Sequence, residues 1–409
     1  MLLIYRFLIN LIFLFSPIII FVRLLKKKES VKRFKEKFCI FSKKRGFGKL
    51  LWFHGASVGE IQSIIPLLEK FEKEKKINKI LLTSNTLSSS KIIKKLKFKK
   101  VTHQFFPIDT NFFSKKFINY WKPSAAFFID SEIWPNMITN LHKKKIPISL
   151  INARITKKTF NKWQIISSFS KNIFCKIDMS LPSNNISKYY LKKLGANKIK
   201  LIGNLKFSQS ENEKISISNK IKKIITSRKT WCASSTHHGE EKLCGLAHIK
   251  LKKEHKNLLT IIIPRHVERT TSIKSELEKL DLKVQLHEPE RIINSNVDIY
   301  IVNSYGKTKS FYSCCKNIFL GGSIINHGGQ NPLEATRYGC NILHGPNIKN
   351  FEEIYKLLYK KKLSTKISNF NELSSQLNKL FKKNYNYKDK QNNLNKIGKI
   401  ILKKTFNEI

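Results

Sequence analysis

Residues 51–71, LWFHGASVGEIQSIIPLLEKF, change periodicity within one short stretch. Leu51-Trp52-Phe53 is a continuous apolar run, the pattern of a buried strand. The segment 54–59 then turns on Gly55 and Gly59, residues that let a backbone bend tightly and approach a ligand closely. Ile61, Ile64, Ile65, Leu68 and Phe71 recur at helical spacing. A strand that passes through a glycine turn into an amphipathic helix is the repeating unit of parallel α/β proteins. Pro66 falls inside the helical pattern and predicts a kink. Glu60 stands at the turn–helix junction. Its carboxylate is either an acid favoured by the helix dipole or a catalytic base at the carboxyl end of a strand, where open α/β sheets place ligands.

The same alternation continues along the chain. Segments 80–84, 102–107, 125–129, 146–151, 179–181 and 199–202 read as strands, with a helix over 88–96. The pattern restarts near Ile221, with strands over 229–234, 258–263, 297–302 and 317–320 and a helix over 240–254. Two similar α/β halves follow, joined near residues 207–219. The lysine- and asparagine-rich tail, 371–409, carries helical apolar spacing in places.

With 409 residues and 41% hydrophobic side chains, the chain can bury more than one core. Its formal charge of +50 points to polyanionic partners: nucleic acid, an anionic membrane surface or an acidic substrate. The lysines are spread through nearly the whole chain beside isoleucine and asparagine, which is also what compositional bias on solvated faces gives. Seven cysteines without a CxxC read as reduced, mostly buried thiols, and no histidine–cysteine spacing resembles a zinc site.

Residues 1–25 are strongly apolar between Arg6 and Arg23, and a lysine run begins at Lys26. The apolar length is at or just below what crosses a bilayer core. The positive-inside rule puts the lysines, and the bulk of the chain, on the cytoplasmic side. An in-plane anchor is the alternative, because the segment is short and contains Pro17.

Polar residues follow the strands: Asp130 and Glu132, Arg154, Lys206, and Arg265 with His266. Together they outline two site halves at strand carboxyl ends. The sharpest local motif is 321–334, GGSIINHGGQNPLE. Asn331 suits an N-cap, Pro332 the first helical position, and Glu334 the third. The glycines before them can turn backbone N–H groups toward a phosphate at a helix start. Glu334 either closes a capping box or accepts hydrogen bonds from ribose hydroxyls.

HGASVGE, DSEIWPN, INARIT, GNLKF, ASSTHHGEE, IPRHVER and GGSIINHGGQNPLE occur in one order over nearly the whole chain, behind an apolar N-terminus. In this the sequence resembles the bacterial Kdo transferases, the 3-deoxy-D-manno-octulosonic acid transferases of lipopolysaccharide assembly. The resemblance implies an α/β protein of the GT-B class: two Rossmann-like domains facing across a cleft, with an N-terminal membrane-anchor helix. The expected division is an anchor over 1–25, an acceptor domain over 26–206, a nucleotide-sugar domain over 207–385 and a helical tail over 386–409. The implied activity is inverting transfer of Kdo from CMP-Kdo to a lipid A precursor, lipid IVA, at the cytoplasmic side of the inner membrane. Anionic lipids are the expected further partner; no cofactor, no metal and no nucleic acid are expected. Glu60 lies on the family's catalytic base, and Asp130 and Lys206 on positions that support the transition state. Pro264, Arg265, Tyr305, Gly306, Lys307, Asn331, Pro332, Leu333 and Glu334 lie on its CMP site. Three departures accompany the match. Asp130 replaces a glutamate, Lys307 stands where the family is acidic, and Gln330 replaces a histidine.

Two other readings fit parts of the sequence. A GT-B enzyme using another nucleotide sugar shares the fold. A membrane-tethered nucleic-acid binder suits the charge. However, aromatic and basic residues do not alternate on one clear face, and no RNA-binding signature is present.

Overall fold

The computed structural model describes residues 1–209, 217–289, 291–382 and 387–409. Part of the expected junction over 207–219 lies outside these residues, as does 383–386 of the tail. The chain divides into two compact units, residues 1–209 with 397–409, and residues 210–396.

The first unit holds six parallel strands: β1 (Leu50–His54), β2 (Lys79–Ser84), β3 (Val101–Phe105), β4 (Ala125–Ile129), β5 (Ile148–Ala153) and β6 (Met179–Pro182). Their spatial order is β3-β2-β1-β4-β5-β6, the doubly wound Rossmann order. The order reverses between β1 and β4, which pair directly from Leu51↔Ala125 to His54↔Phe128. Four of the strands, β1, β2, β4 and β5, are buried along nearly their whole length, as expected where helices cover both faces. Trp52 organises the core beneath them. Its ring lies 4.9 Å from Phe117 and 5.4 Å from Phe128, the latter edge to face. The expected strand over 199–202 is absent; Ile199 makes only an isolated bridge to Ser180. Lys200 and the exposed Leu201 leave too little buried apolar surface there to hold a ladder.

After β1, the helix over Val58–Lys73 buries Ile61, Ile64, Leu67, Leu68 and Phe71. Pro66 sits inside this helix without ending it. The carbonyl it leaves unpaired belongs to Gln62, an exposed residue whose backbone water can serve.

The N-terminal helix, Leu2–Leu25, is long and apolar enough to cross a membrane. It lies against the first unit at both ends. Near its start, Tyr5 Oη donates to Asp109 Oδ2 at 2.8 Å. Arg6 donates to Asn136 Oδ1 at 3.0 Å and Asn111 Oδ1 at 3.1 Å. Midway, Phe13 packs edge-on against Phe38 and Phe113. At its end, Arg23 pairs with Glu29 at 2.7 Å, and Glu29 also accepts from Lys37. Leu3, Phe7, Leu14, Ile18 and Phe21 are exposed along the helix. Asp109, almost wholly buried, also accepts the backbone N–H groups of Asn136 and Met137 at 3.0 and 2.8 Å. It thereby caps the helix over Pro135–Lys143 from a distant part of the chain. Burial pushes its carboxyl up to about 7, against the pull of these donors.

The second unit holds seven parallel strands: β7 (Lys229–Thr236), β8 (Leu258–Pro264), β9 (Val284–Leu286), β10 (Ile299–Ile301), β11 (Asn317–Leu320), β12 (Asn341–His344) and β13 (Ser364–Lys366). Their order is β13-β12-β11-β7-β8-β10-β9, so the reversal falls between β7 and β11. Trp231, Tyr300, Phe311 and Phe319 are fully buried around this sheet. Sequence periodicity missed β9, β12 and β13. The three-residue β9 is too short for any period, β12 has only two apolar residues, and β13 reads Ser-Thr-Lys.

The last helix runs over Tyr387–Asn407 and returns the chain to the first unit. There Phe406 packs on Phe71 at 4.9 Å, and Glu408 pairs with Lys200. Gly398 lies so close to the Phe207 backbone that a Cβ would come 2.3 Å from its carbonyl oxygen.

Candidate active site

In the first unit the first turn of the helix after β1 carries Glu60 and the loop after β4 carries Asp130, one on each side of the order reversal. This is where open α/β sheets bind ligands. Ser57 is the N-cap of the helix over Val58–Lys73 and accepts the Glu60 N–H at 3.4 Å. The Glu60 carboxylate answers by accepting the Ala56 N–H and the Ser57 hydroxyl, each at 2.7 Å. Glu60 is therefore a capping-box acid in geometry. It also has an unusual proton affinity. Burial pushes it up to about 7; the negative charges of Glu132 and Asp130 add to this, while the Ser57 and Ala56 bonds oppose it.

Asp130 sits in left-handed backbone at φ 60°, a conformation short polar residues tolerate, and reverses the chain at the end of β4. Burial raises its carboxyl, while Lys206 and Arg154 pull it down. Lys206 is set by two asparagines: Asn152 Oδ1 accepts the Leu205 N–H at 2.8 Å, and Asn204 Oδ1 accepts that of Lys206 at 2.9 Å. Asn152 is itself left-handed, at φ 53°. The three residues expected to be catalytic, Glu60, Asp130 and Lys206, are thus electrostatically linked beyond the carboxyl ends of the central strands, and Arg154 and Glu132 join them.

In the second unit the expected nucleotide contacts also follow strands. Pro264 ends β8, and the Arg265 N–H is held by the Thr236 carbonyl at 3.0 Å while its side chain is exposed. Tyr305 is exposed and donates to Glu268 at 3.2 Å; Gly306 is left-handed at φ 81° with nothing crowding it. Lys307 stands at the N-cap position of the helix over Thr308–Cys314 without a side-chain cap. Asn331 Oδ1 accepts the Leu333 N–H at 3.2 Å. The helix there, Leu333–Arg337, begins one residue later than the sequence pattern suggested, with Pro332 at the N-cap. Glu334 lies 3.7 Å from Lys309 Nζ.

One expectation is corrected. The N–H groups of the glycine loop do not face an open anion site. Those of Gly322, Ser323 and Ile324 donate at 2.7, 3.1 and 3.0 Å to Glu240, a fully buried carboxylate that also takes the His237 N–H at 3.0 Å. The protein supplies its own anion there. Sequence reading missed this because Glu240 looks like an ordinary first-turn acid of the helix Glu240–Lys252, and its Gly322, Ser323 and Ile324 partners lie more than eighty residues away.

Two Rossmann-type units in one chain, each with polar residues gathered beyond its strand ends, make up the GT-B type of fold. The sequence model of the 3-deoxy-D-manno-octulosonic-acid transferase (kdotransferase) family matches residues 32–209. The chain is 33% identical over 379 residues to a 3-deoxy-D-manno-octulosonic acid transferase of Rickettsia bellii, covering 91% of this chain and 90% of that one. A transferase of the same description from Haemophilus influenzae is 29% identical over 314 residues, covering 75% and 73%. The chain belongs to the Kdo transferase family. Among solved structures, UDP-GlcNAc 2-epimerase of Neisseria meningitidis superposes with a TM-score of 0.60 at 16% identity, over 88% of this chain and 100% of that one, a likeness of fold alone.

Proposed function

We propose that this enzyme transfers Kdo, with inversion, from CMP-Kdo to a hydroxyl of a lipid A precursor, lipid IVA, at the cytoplasmic face of the inner membrane. The observation that carries the reading is the placement of the Glu60 carboxylate just past the carboxyl end of β1, at the order reversal of the sheet, with Asp130, Glu132, Lys206 and Arg154 gathered there. A base poised near working pH is what deprotonation of a sugar hydroxyl calls for. In the proposed step, the Glu60 carboxylate takes the hydroxyl proton as the oxygen bonds to the anomeric carbon. The bond from that carbon to the CMP phosphate breaks, and its electron pair leaves with CMP. Lys206 and Arg265 meet the phosphate and sugar-acid charge, with Asp130 holding the local balance. Pro264, Tyr305, Gly306, Lys307, Asn331, Pro332, Leu333 and Glu334 would contact CMP.

The packing of the N-terminal helix supports an in-plane membrane mode. A helix held by side chains of the first unit at Tyr5 and Arg6 suits lying along the membrane surface rather than across it. Its exposed apolar side chains instead suit burial at the lipid interface, and Lys26, Lys27 and Lys28 suit anionic headgroups.

The test is mass spectrometry of lipid IVA after incubation with the protein and freshly generated CMP-Kdo. A mass increase of one or more Kdo units is expected; unchanged acceptor refutes the reading. Calorimetry with CMP, UDP and ADP separates the donor class.

A further inference from the structure

Glu132 follows β4 in the first unit, two residues beyond Asp130. One oxygen of its carboxylate is firmly placed. Oε2 accepts the Trp134 indole N–H at 3.0 Å and lies 3.3 Å from His54 Nε2. His54 is completely buried at the end of β1. Its ring stacks on Phe106 at 3.9 Å and meets Phe128 and Trp134 edge-on. Its Nδ1 is 2.9 Å from Thr83 Oγ1, which accepts the Trp52 indole N–H at 2.9 Å. Packing against Phe106, Phe128 and Trp134 and the contact with Thr83 hold the ring, and with it the carboxylate oxygen it faces.

The second oxygen is different. Among the described residues, Glu132 Oε1 has no hydrogen-bond partner, and the side chain keeps 16% of its surface open. Glu60, by contrast, has both oxygens engaged by its own turn, and Asp130 faces Lys206 and Arg154. A rigid carboxylate with one oxygen spent on positioning and one left over is what recognition of a hydroxyl requires, because a hydroxyl donates a single directional hydrogen bond.

We infer that Glu132 is a substrate-contacting residue, its Oε1 accepting a hydrogen bond from a hydroxyl group of the acceptor carbohydrate. His54 and Trp134 are then positioning residues acting through it. This rests on the proposed function only in calling the acceptor a carbohydrate. The alternative is that Glu132 merely completes the polar partners of His54 and Trp134.

Glu132→Gln separates the two. Glutamine keeps the shape and can still accept the Trp134 N–H, but it then turns an NH2 group toward the hydroxyl. The full-length protein and the variant are titrated with lipid IVA in detergent micelles, and kcat and KM are measured with CMP-Kdo. The hydroxyl can then only accept from that NH2, and the inference expects acceptor affinity to fall about tenfold, as exchange of a charged hydrogen bond for a neutral one does. The donor KM and the thermal midpoint stay close to the parent. Trp134→Phe keeps the ring packing but frees Oε2, and is expected to weaken acceptor binding by a smaller factor. Unchanged acceptor affinity in Glu132→Gln overturns the inference, whatever its Tm; so does a fall in kcat alone. A parent that binds lipid IVA without transferring Kdo would refute the proposed reaction, while the binding comparison would still decide the role of Glu132.

Discussion

Replacing Glu60 by glutamine isolates proton acceptance from helix capping. Both carboxylate oxygens are engaged, by the Ala56 N–H and the Ser57 hydroxyl, each at 2.7 Å. A glutamine can give its oxygen to the Ala56 N–H and turn its NH2 toward Ser57 Oγ, which is able to accept. Hydrogen bonds to a charged group contribute roughly 1.5–3 kcal/mol and neutral ones about 0.5–1.5. Two weakened bonds therefore cost about 2 kcal/mol, and neutralising a carboxylate raised by burial returns part of that. The thermal midpoint should move by only a few degrees. Turnover should fall about 10²–10⁴-fold, the usual contribution of a general base, or roughly 3–5 kcal/mol in barrier height. A pH series adds a second check. The base must be ionised, so the parent's kcat/KM should climb with pH toward about 7 and level off above it. Stability runs the other way. The folded pKa lies above the ordinary glutamate value, so the contribution of Glu60 is full below that value and is lost as pH rises through about 7. The variant should lack that slope. Product formation by mass spectrometry and melting on one preparation decide the matter. A Glu60→Gln enzyme within about tenfold of the parent well above neutral pH would refute the base assignment.

Other perturbations give equally definite outcomes. Arg265→Ala and Glu334→Ala should each weaken CMP binding by calorimetry, by roughly 1.5–3 kcal/mol for a lost charged hydrogen bond; parental affinity in both would misplace the site. Gly321→Ala should be strongly destabilising, because its Cβ would lie 2.4 Å from the Ser235 carbonyl oxygen and 2.7 Å from Thr236 Cα. A parental melting curve would show that the turn can yield. Deleting residues 1–25 strips Asp109 and Asn136 of Tyr5 and Arg6, so the truncated protein should lose stability even in detergent, beyond losing lipid binding. Unchanged melting in detergent would mean that the helix only tethers.

The alternation of apolar runs and helical spacing was enough to read the parallel α/β class and most strands, because buried parallel strands are nearly continuous in apolar residues. Glu60 and Asp130 were legible as strand-end acids for the same reason. What stayed hidden depended on distance in the chain. Glu240 looks like a helix-start acid until the loop over 321–324 is folded onto it. Glu132 looks like a solvated loop acid until His54 and Trp134 claim one of its oxygens. The edge strand β13 carries no apolar residue to announce it.

The return of the final helix to the first unit bears on how the protein is made. The ribosome delivers Leu2–Leu25 before the Asp109, Asn111 and Asn136 groups that hold Tyr5 and Arg6, which follow those two residues by more than a hundred positions. Phe406 and Glu408, which close on Phe71 and Lys200, come after every strand of both sheets. At about 5–20 residues per second, the apolar helix waits for several seconds at least before its docking surface exists, and the membrane is the natural place to wait. A late nonsense codon that removes residues 397–409 would take away the closing clasp of the N-terminal unit, although every strand of that unit had already been translated.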